Sequence, residues 1–200
     1  MKFEDIPYKR LCMFRPNLSA IPGHKLPPGY RFRMYEPGDR ETWVDVVRSA
    51  ERFQTITPEL FDAQFPGEDY LKTERMVFLT NPAGMPVGTA TAWFGDDDGD
   101  LSVGRVHWVA IRPEYQGRGL SKPLLSFTLL RLRDAGHARV FLVTQAPRIP
   151  AIRLYLTFGF EPAITCDEDV ANWQLVDDYT GSSKGPHGNN FTFWRERRTV

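Results

Sequence analysis

The amino-acid sequence predicts an α/β protein, a mixed sheet with helices packed on both of its faces. Three observations carry that expectation. Short apolar runs bounded by turn residues alternate with stretches whose apolar residues recur at helical spacing. In order they read strand, one or two helices, three strands, helix, strand, helix and two more strands, which suits a layered α/β architecture. A length of 200 residues suits one domain with one core.

Residues 1–29 are rich in Pro and basic side chains, with Pro16, Pro22, Pro27 and Pro28. They are expected to wrap the surface as an N-terminal extension rather than form a helix, leaving 30–200 as the domain. Tyr30–Tyr35 alternates as a short strand. Glu36-Pro37-Gly38-Asp39 reads as a turn and helix N-cap, ahead of Trp43, Val46, Val47 and Ala50 at helical spacing. Thr57-Pro58-Glu59 opens a second helix to about Gln64, with Pro58 suited to its first turn. Arg75–Thr80 and Met85–Phe94 read as hairpin strands around the turn Asn81-Pro82-Ala83-Gly84. The polar loop Gly95–Asp100 precedes a long strand, Leu101–Ile111. A helix runs from about Leu120 to Ala135 and stops at Gly136, with Arg131 and Arg133 near its C-terminus, where the dipole favours cations. Arg139–Thr144 is a strand whose Val-Phe-Leu-Val run implies burial on both faces. Pro147–Phe158 is a helix closed by Gly159, and Phe160 opens another strand. Asp167–Tyr179 reads as helix or loop, 181–189 as a loop, and Asn190–Arg197 as a final strand.

Composition narrows the function. Lys plus Arg equals Asp plus Glu, 25 of each, so the basic excess of a general nucleic-acid binder is missing. The local cluster Arg195, Arg197 and Arg198 reads as a solvated strand end. Cys12 and Cys166 form no CxxC or Cys/His zinc spacing, and His24, His137 and His187 show no ligand spacing, so no metal site is expected. Two lone cysteines fit a reduced, cytoplasmic setting. Met1–Arg10 lacks an apolar signal core, and no run approaches the ~20 apolar residues of a membrane span. Neither nucleic acid nor membrane is expected as a partner.

The chemistry gathers between Ile111 and Lys122. A strand ends, a loop with two glycines follows, and a helix begins. Such a loop aims several backbone N–H groups at one spot, where the helix dipole adds positive potential, and so makes an anion site. Gly117 and Gly119 let the backbone approach a phosphate without a Cβ in the way, Pro123 lies in the first helical turn, and Arg118 and Lys122 can add charge. A lone glycine pair would equally well be a tight turn without a ligand.

The pair does not stand alone. The run resembles the acetyl-CoA signature of the GNAT superfamily, Gln/Arg-x-x-Gly-x-Gly/Ala, with Gln116, Gly119 and Ser121 in its three places. The Val/Ile-x-Pro-Glu-Tyr that precedes the signature is matched by Ile111, Pro113, Glu114 and Tyr115, and the two leucines after it by Leu124 and Leu125. Downstream, the family's Ala-Ile-x-Leu-Tyr-x-x-x-Gly-Phe is matched by Ala151, Ile152, Leu154, Tyr155, Gly159 and Phe160, with Arg148 where an Asn often stands. The resemblance covers residues 75–165. It implies a GNAT-like fold, a central mixed and mostly antiparallel sheet with helices on both faces. It implies acetyl-CoA as cofactor, its pyrophosphate on Gln116, Gly117, Arg118, Gly119, Leu120, Ser121 and Lys122. It also implies that the pantetheine arm pairs with the strand backbone at Val109, Ala110 and Ile111, where that strand splays from the strand 139–145.

Three groups are left to weigh. Tyr155 holds the place where many family members put the general acid for the leaving thiolate; otherwise it is a core tyrosine on an apolar helix face. Strand alternation puts Arg105, His107, Val109 and Ile111 on one face. Some members use a His or Glu at position 107, or two residues earlier, as base for the amine; otherwise His107 is a hydrogen-bonded strand histidine. Asp96–Asp100 either attracts a cationic acceptor or is a solvated hairpin turn. The resulting expectation is N-acetyl transfer from acetyl-CoA to a small-molecule or peptide amine by direct attack, with a homodimer left open. The rivals are a non-catalytic acyl-CoA sensor or interaction module on the same fold and, without a GKS/T loop or full GxGxxG, another nucleotide binder.

Overall fold

The computed structural model describes residues 5–95 and 102–180, which fall into two units, 18–140 and 5–17 with 141–180. Along the chain the elements are β1 (Arg10–Arg15), β2 (Arg31–Met34), α1 (Arg40–Ala50), α2 (Pro58–Gln64), α3 (Asp69–Arg75), β3 (Met76–Thr80), β4 (Pro86–Phe94), β5 (Val103–Ile111), α4 (Ser121–Asp134), β6 (Arg139–Gln145), α5 (Ile149–Thr157), β7 (Glu161–Pro162) and α6 (Asp167–Thr180). The expected loop at Asp96–Asp100, the strand Asn190–Arg197 with Trp194 and its arginines, and His187 lie outside the described residues.

In residues 18–140 the strands run β2-β3-β4-β5, each antiparallel to the next. The alternation of β3 sets two packing faces. Met76 and Phe78 join an aromatic cluster with Trp43, Val46 and Val47 of α1, Phe61 of α2, and Phe65. Val77 and Leu79 join Ala90, Ile111 and Leu124 of α4 on a second cluster. Every residue of β3 is buried, and helices cover both faces, as the sequence predicts. Trp43 is the hub of the first cluster, with edge-on contacts to Phe61, Phe65 and Trp108 at 5.2–5.4 Å. Residues 18–30 have no regular structure and pack on this unit: Ser126 donates to the Pro22 carbonyl at 2.6 Å, and Leu26 packs on the second cluster.

Local chemistry explains the helix starts. Thr57 Oγ1 accepts from the Leu60 N–H, a true N-cap ahead of Pro58. Asp39 stands at the N-cap of α1 but does not cap it. Its carboxylate instead takes the Arg33 guanidinium at 2.6 and 2.9 Å and the Glu36 N–H at 2.7 Å. Burial pushes the Asp39 carboxyl up, but these hydrogen bonds outweigh it and hold the group below its ordinary range.

In the other unit the strand order is β6-β1-β7, with β1 antiparallel to β7. Strand β1 corrects the expectation that all of 1–29 wraps the surface, because Leu11, Met13, Phe14 and Arg15 are buried. Helix α5 buries Ile149, Ile152 and Tyr155, three residues apart, on one face. It ends in a Schellman motif: the Gly159 N–H bonds the Leu156 carbonyl at 3.0 Å and the Phe160 N–H bonds that of Tyr155 at 3.1 Å. Gly159 takes φ +74°, and the buried Arg15 side chain donates to the Phe158 carbonyl beside it. A Cβ on Gly159 would stand 3.3 Å from Arg15 Nη1. Gly159→Ala is therefore expected to cost about 1–2 kcal/mol, the left-handed strain of a non-glycine residue, measured as a lower chemical-denaturation midpoint.

Candidate functional site

The loop after β5 is rooted before it begins. Arg112 donates its backbone N–H to Val87 and its Nε to the Pro86 carbonyl, and its guanidinium pairs with Asp45 of α1. One 3-10 turn, Pro113–Tyr115, follows. Gln116 Nε2 reaches back to the Ile111 carbonyl at 2.8 Å. Arg118 donates to the Glu114 carbonyl at 2.8 Å and lies over the Tyr115 ring, whose hydroxyl accepts from Asn81.

Gly117 and Gly119 adopt φ +74° and +76°, and a Cβ at either would meet nothing within 4 Å. Their requirement is backbone conformation, and the surface beside them is open. Leu120 is buried in the second cluster and anchors the start of α4, while Ser121 is half-buried and Lys122 exposed. No side chain caps this helix, so its first N–H groups stay available to a ligand next to the glycines. The loop therefore fits the pyrophosphate of a nucleotide cofactor: an open, glycine-lined approach to an uncapped helix N-terminus.

Strand β5 is not regular. Thr89 pairs with Ala110 but Thr91 with His107, so Ala90 faces two residues, Trp108 and Val109. This is a β-bulge, which leaves the extra residue outside the ladder. Trp108 has φ +49°, the only positive φ of a non-glycine residue among those described, a strain of order 1–3 kcal/mol. The bulge corrects the expected alternation. The His107 ring meets Phe65 edge-on at 5.3 Å on the aromatic side, whereas Val109 and Ile111 pack on the second cluster. Ala110 belongs to the aromatic cluster.

His107 is 6% exposed, and burial, helped by the charge of Arg105, pushes its pKa down to about 2. Burial therefore favours its neutral imidazole form. Tyr155, in the other unit, is 8% exposed, and burial pushes its pKa up to about 12 against a small opposing effect of Arg148. Its ring meets Phe160 at 5.9 Å, so the Tyr-x-x-x-Gly-Phe spacing is a helix end that fixes the tyrosine. Arg148 is the residue before α5 and hydrogen-bonds Gln145. Among the described residues no group of three or more His, Cys, Asp or Glu could hold a metal ion, and no helix is long and apolar enough to cross a membrane. Sequence reasoning does not single out Trp108 or Gln64, because a bulge has no compositional mark.

The chain is similar to several known proteins. A mycothiol acetyltransferase of Thermobispora bispora is 32% identical over 153 residues, 74% of this chain and 52% of that protein. One from Arthrobacter is 29% identical over 168 residues, covering 80% and 51%. The chain spans about half the length of these curated relatives. Among solved structures, a GCN5-related N-acetyltransferase from Sphaerobacter thermophilus shares the fold with a TM-score of 0.65 at 23% identity, over 80% of this chain and 51% of that one. The ribosomal-protein-S18-alanine N-acetyltransferase of Escherichia coli gives a TM-score of 0.56 at 25% identity, over 68% and 79%. The model of the acetyltransferase (GNAT) family matches residues 41–160. That match takes in the glycine loop, the bulged strand and Tyr155, and it spans more than half of the sequence, so the chain belongs to the GNAT acetyltransferase family.

Proposed function

We propose that this protein transfers an acetyl group from acetyl-CoA to an amine by direct attack. The observation that carries the reading is the open glycine loop running into the uncapped N-terminus of α4. In this reading the backbone of 116–122 binds the pyrophosphate, with Arg118 and Lys122 adding charge, and the backbone of Val109–Ile111 pairs with the pantetheine arm. Acetyl-CoA supplies the activated thioester. The name of the curated relatives, mycothiol acetyltransferase, supports a small-molecule acceptor, and nothing in the comparisons favours the non-catalytic alternative.

Tyr155 is the proposed proton donor to the leaving sulfur. A phenol at about 12 stays protonated throughout the working range, so it is always ready to donate. Full transfer to a thiolate whose acid has a pKa near ~8.5 is uphill, so hydrogen-bond donation to the developing charge is its contribution. His107 fits the base role poorly, since an imidazole at about 2 has little affinity for the amine's proton.

Calorimetry with acetyl-CoA and turnover with a panel of amines test the activity. Ser121→Glu places a carboxylate in the first turn of α4, where folding tolerates it, yet it should abolish acetyl-CoA binding by repelling the pyrophosphate. Undiminished affinity in the folded variant would falsify the assignment of the loop. Tyr155→Phe should leave acetyl-CoA affinity near that of the parent and lower turnover roughly tenfold or more. Parental turnover would make Tyr155 a core residue only.

The histidine has its own signature in stability. Its folded pKa, about 2, lies below the ordinary 6.5, so the unfolded chain takes up a proton that the folded chain refuses. The neutral imidazole thus stabilises the fold fully above pH ~6.5, and this is lost as pH falls toward 2, at up to about 1.4 kcal/mol per pH unit. Denaturation midpoints measured from pH 7.5 down to 4.5 should fall less steeply in His107→Gln than in the parent. Equal slopes would mean that His107 is protonated in the folded state.

A further inference from the structure

We propose that Gln64 and Trp108 form a clamp that sets the backbone of the β5 bulge, and with it the N–H presented to the thioester carbonyl; this rests on the acetyl-transfer reading above. Trp108 holds a backbone conformation that a bulky side chain avoids, and such a conformation persists only where its surroundings impose it. The surroundings here are specific. The indole Nε1 donates to Gln64 Oε1 at 3.0 Å, and since an indole nitrogen only donates, Gln64 must present its carbonyl oxygen. The ring also meets Trp43 edge-on at 5.3 Å and His107 at 6.0 Å, which limits its swing. Gln64 is the last residue of α2, a helix capped by Thr57 and fixed on either side by the buried rings of Phe61 and Phe65. Helix α2 thus reaches the bulge through one side-chain hydrogen bond, 44 residues distant in sequence.

The bulge takes a backbone N–H out of the β4–β5 ladder. A donor released in this way can polarise a carbonyl, provided that its direction is held in advance. Gln64 and Trp108 are therefore positioning residues: neither touches the reacting atoms, and both aim the amide beside Val109.

The test follows the carbonyl itself and needs no acceptor. Acetyl-CoA labelled with carbon-13 at the thioester carbonyl is titrated into the protein and observed by NMR. In the parent the bound resonance should move downfield, the mark of a polarised carbonyl. Gln64→Leu and Trp108→Phe each delete one half of the hydrogen bond, and each should lose at least about half of that displacement while acetyl-CoA Kd stays within about twofold, because the loop holds the nucleotide end. Gln64→Glu keeps an acceptor and should restore the displacement. A parental displacement in both deletion variants overturns the clamp, as does a parent that binds acetyl-CoA without any displacement. A parent that fails to bind acetyl-CoA overturns the acetyl-transfer reading itself, and the clamp's role with it.

Discussion

One extra residue in β5 governs the packing of residues 18–140. Ahead of it, His107 turns toward Phe65 and the aromatic helices α1 and α2; beyond it, Val109 and Ile111 turn toward α4. Because strand side chains alternate with period two, a regular strand would send Val109 and Ile111 into the aromatic cluster and Ala110 toward α4. The observed arrangement gives the smallest residue of the three to the crowded side and the branched ones to the Leu120 and Leu124 side. Acting against the strain at Trp108 are its edge-on contact with Trp43 and its hydrogen bond to Gln64.

The same strand delivers the chain to the glycine loop, and there the work passes from side chains to backbone. Gln116 and Arg118 look like ligand-binding residues in the sequence, yet both donate to loop carbonyls, of Ile111 and Glu114. They brace the turn. The donors proposed for an anion are the N–H groups of the glycine turn and of the first turn of α4, which no side chain caps and where the helix dipole reinforces them. An anion site of this kind needs no basic excess, so the proposed phosphate-binding loop is compatible with a chain of zero net charge.

How much of this the sequence carries depends on whether a feature has a local signature. The Schellman end at Gly159, the cap at Thr57 and the glycine loop are each written in adjacent residues, and each is found where the sequence places it. Helix α3 is seven residues long, too short for a helical period to register. It is held by Leu71 on the aromatic cluster and by Lys72, whose ammonium donates to the Gly67 carbonyl and pairs with Asp69. Strand β1 has its apolar run Leu11–Phe14 flanked by basic residues and Pro16, so composition hid a buried element. Strand β7, which the sequence opens at Phe160, is only two residues long, Glu161–Pro162. The bulge at Trp108 is set by pairing with β4, which no local rule encodes. The face of His107 relative to Ile111 was therefore out of reach, and with it the balance between base and core residue.

Burial then sorts the two candidate proton carriers in one direction. It acts against whichever form is charged, so the imidazole is pushed down and the phenol up, and both stay neutral from acid to mild alkali. In the proposed mechanism a neutral phenol still lowers the energy of a developing thiolate, by donating a hydrogen bond to it in surroundings of low polarity. A neutral imidazole of such weak basicity has no equivalent part in removing a proton from an amine. A primary amine of pKa ~10.4 is free base in only about one molecule in a few thousand at neutral pH. The proposed mechanism relies instead on order: a backbone loop proposed to hold the nucleotide end, and an amide of β5 proposed to meet the carbonyl. In this reading catalysis comes from positioning rather than from proton abstraction, a route that can supply a large part of a barrier when the reacting atoms are held in place.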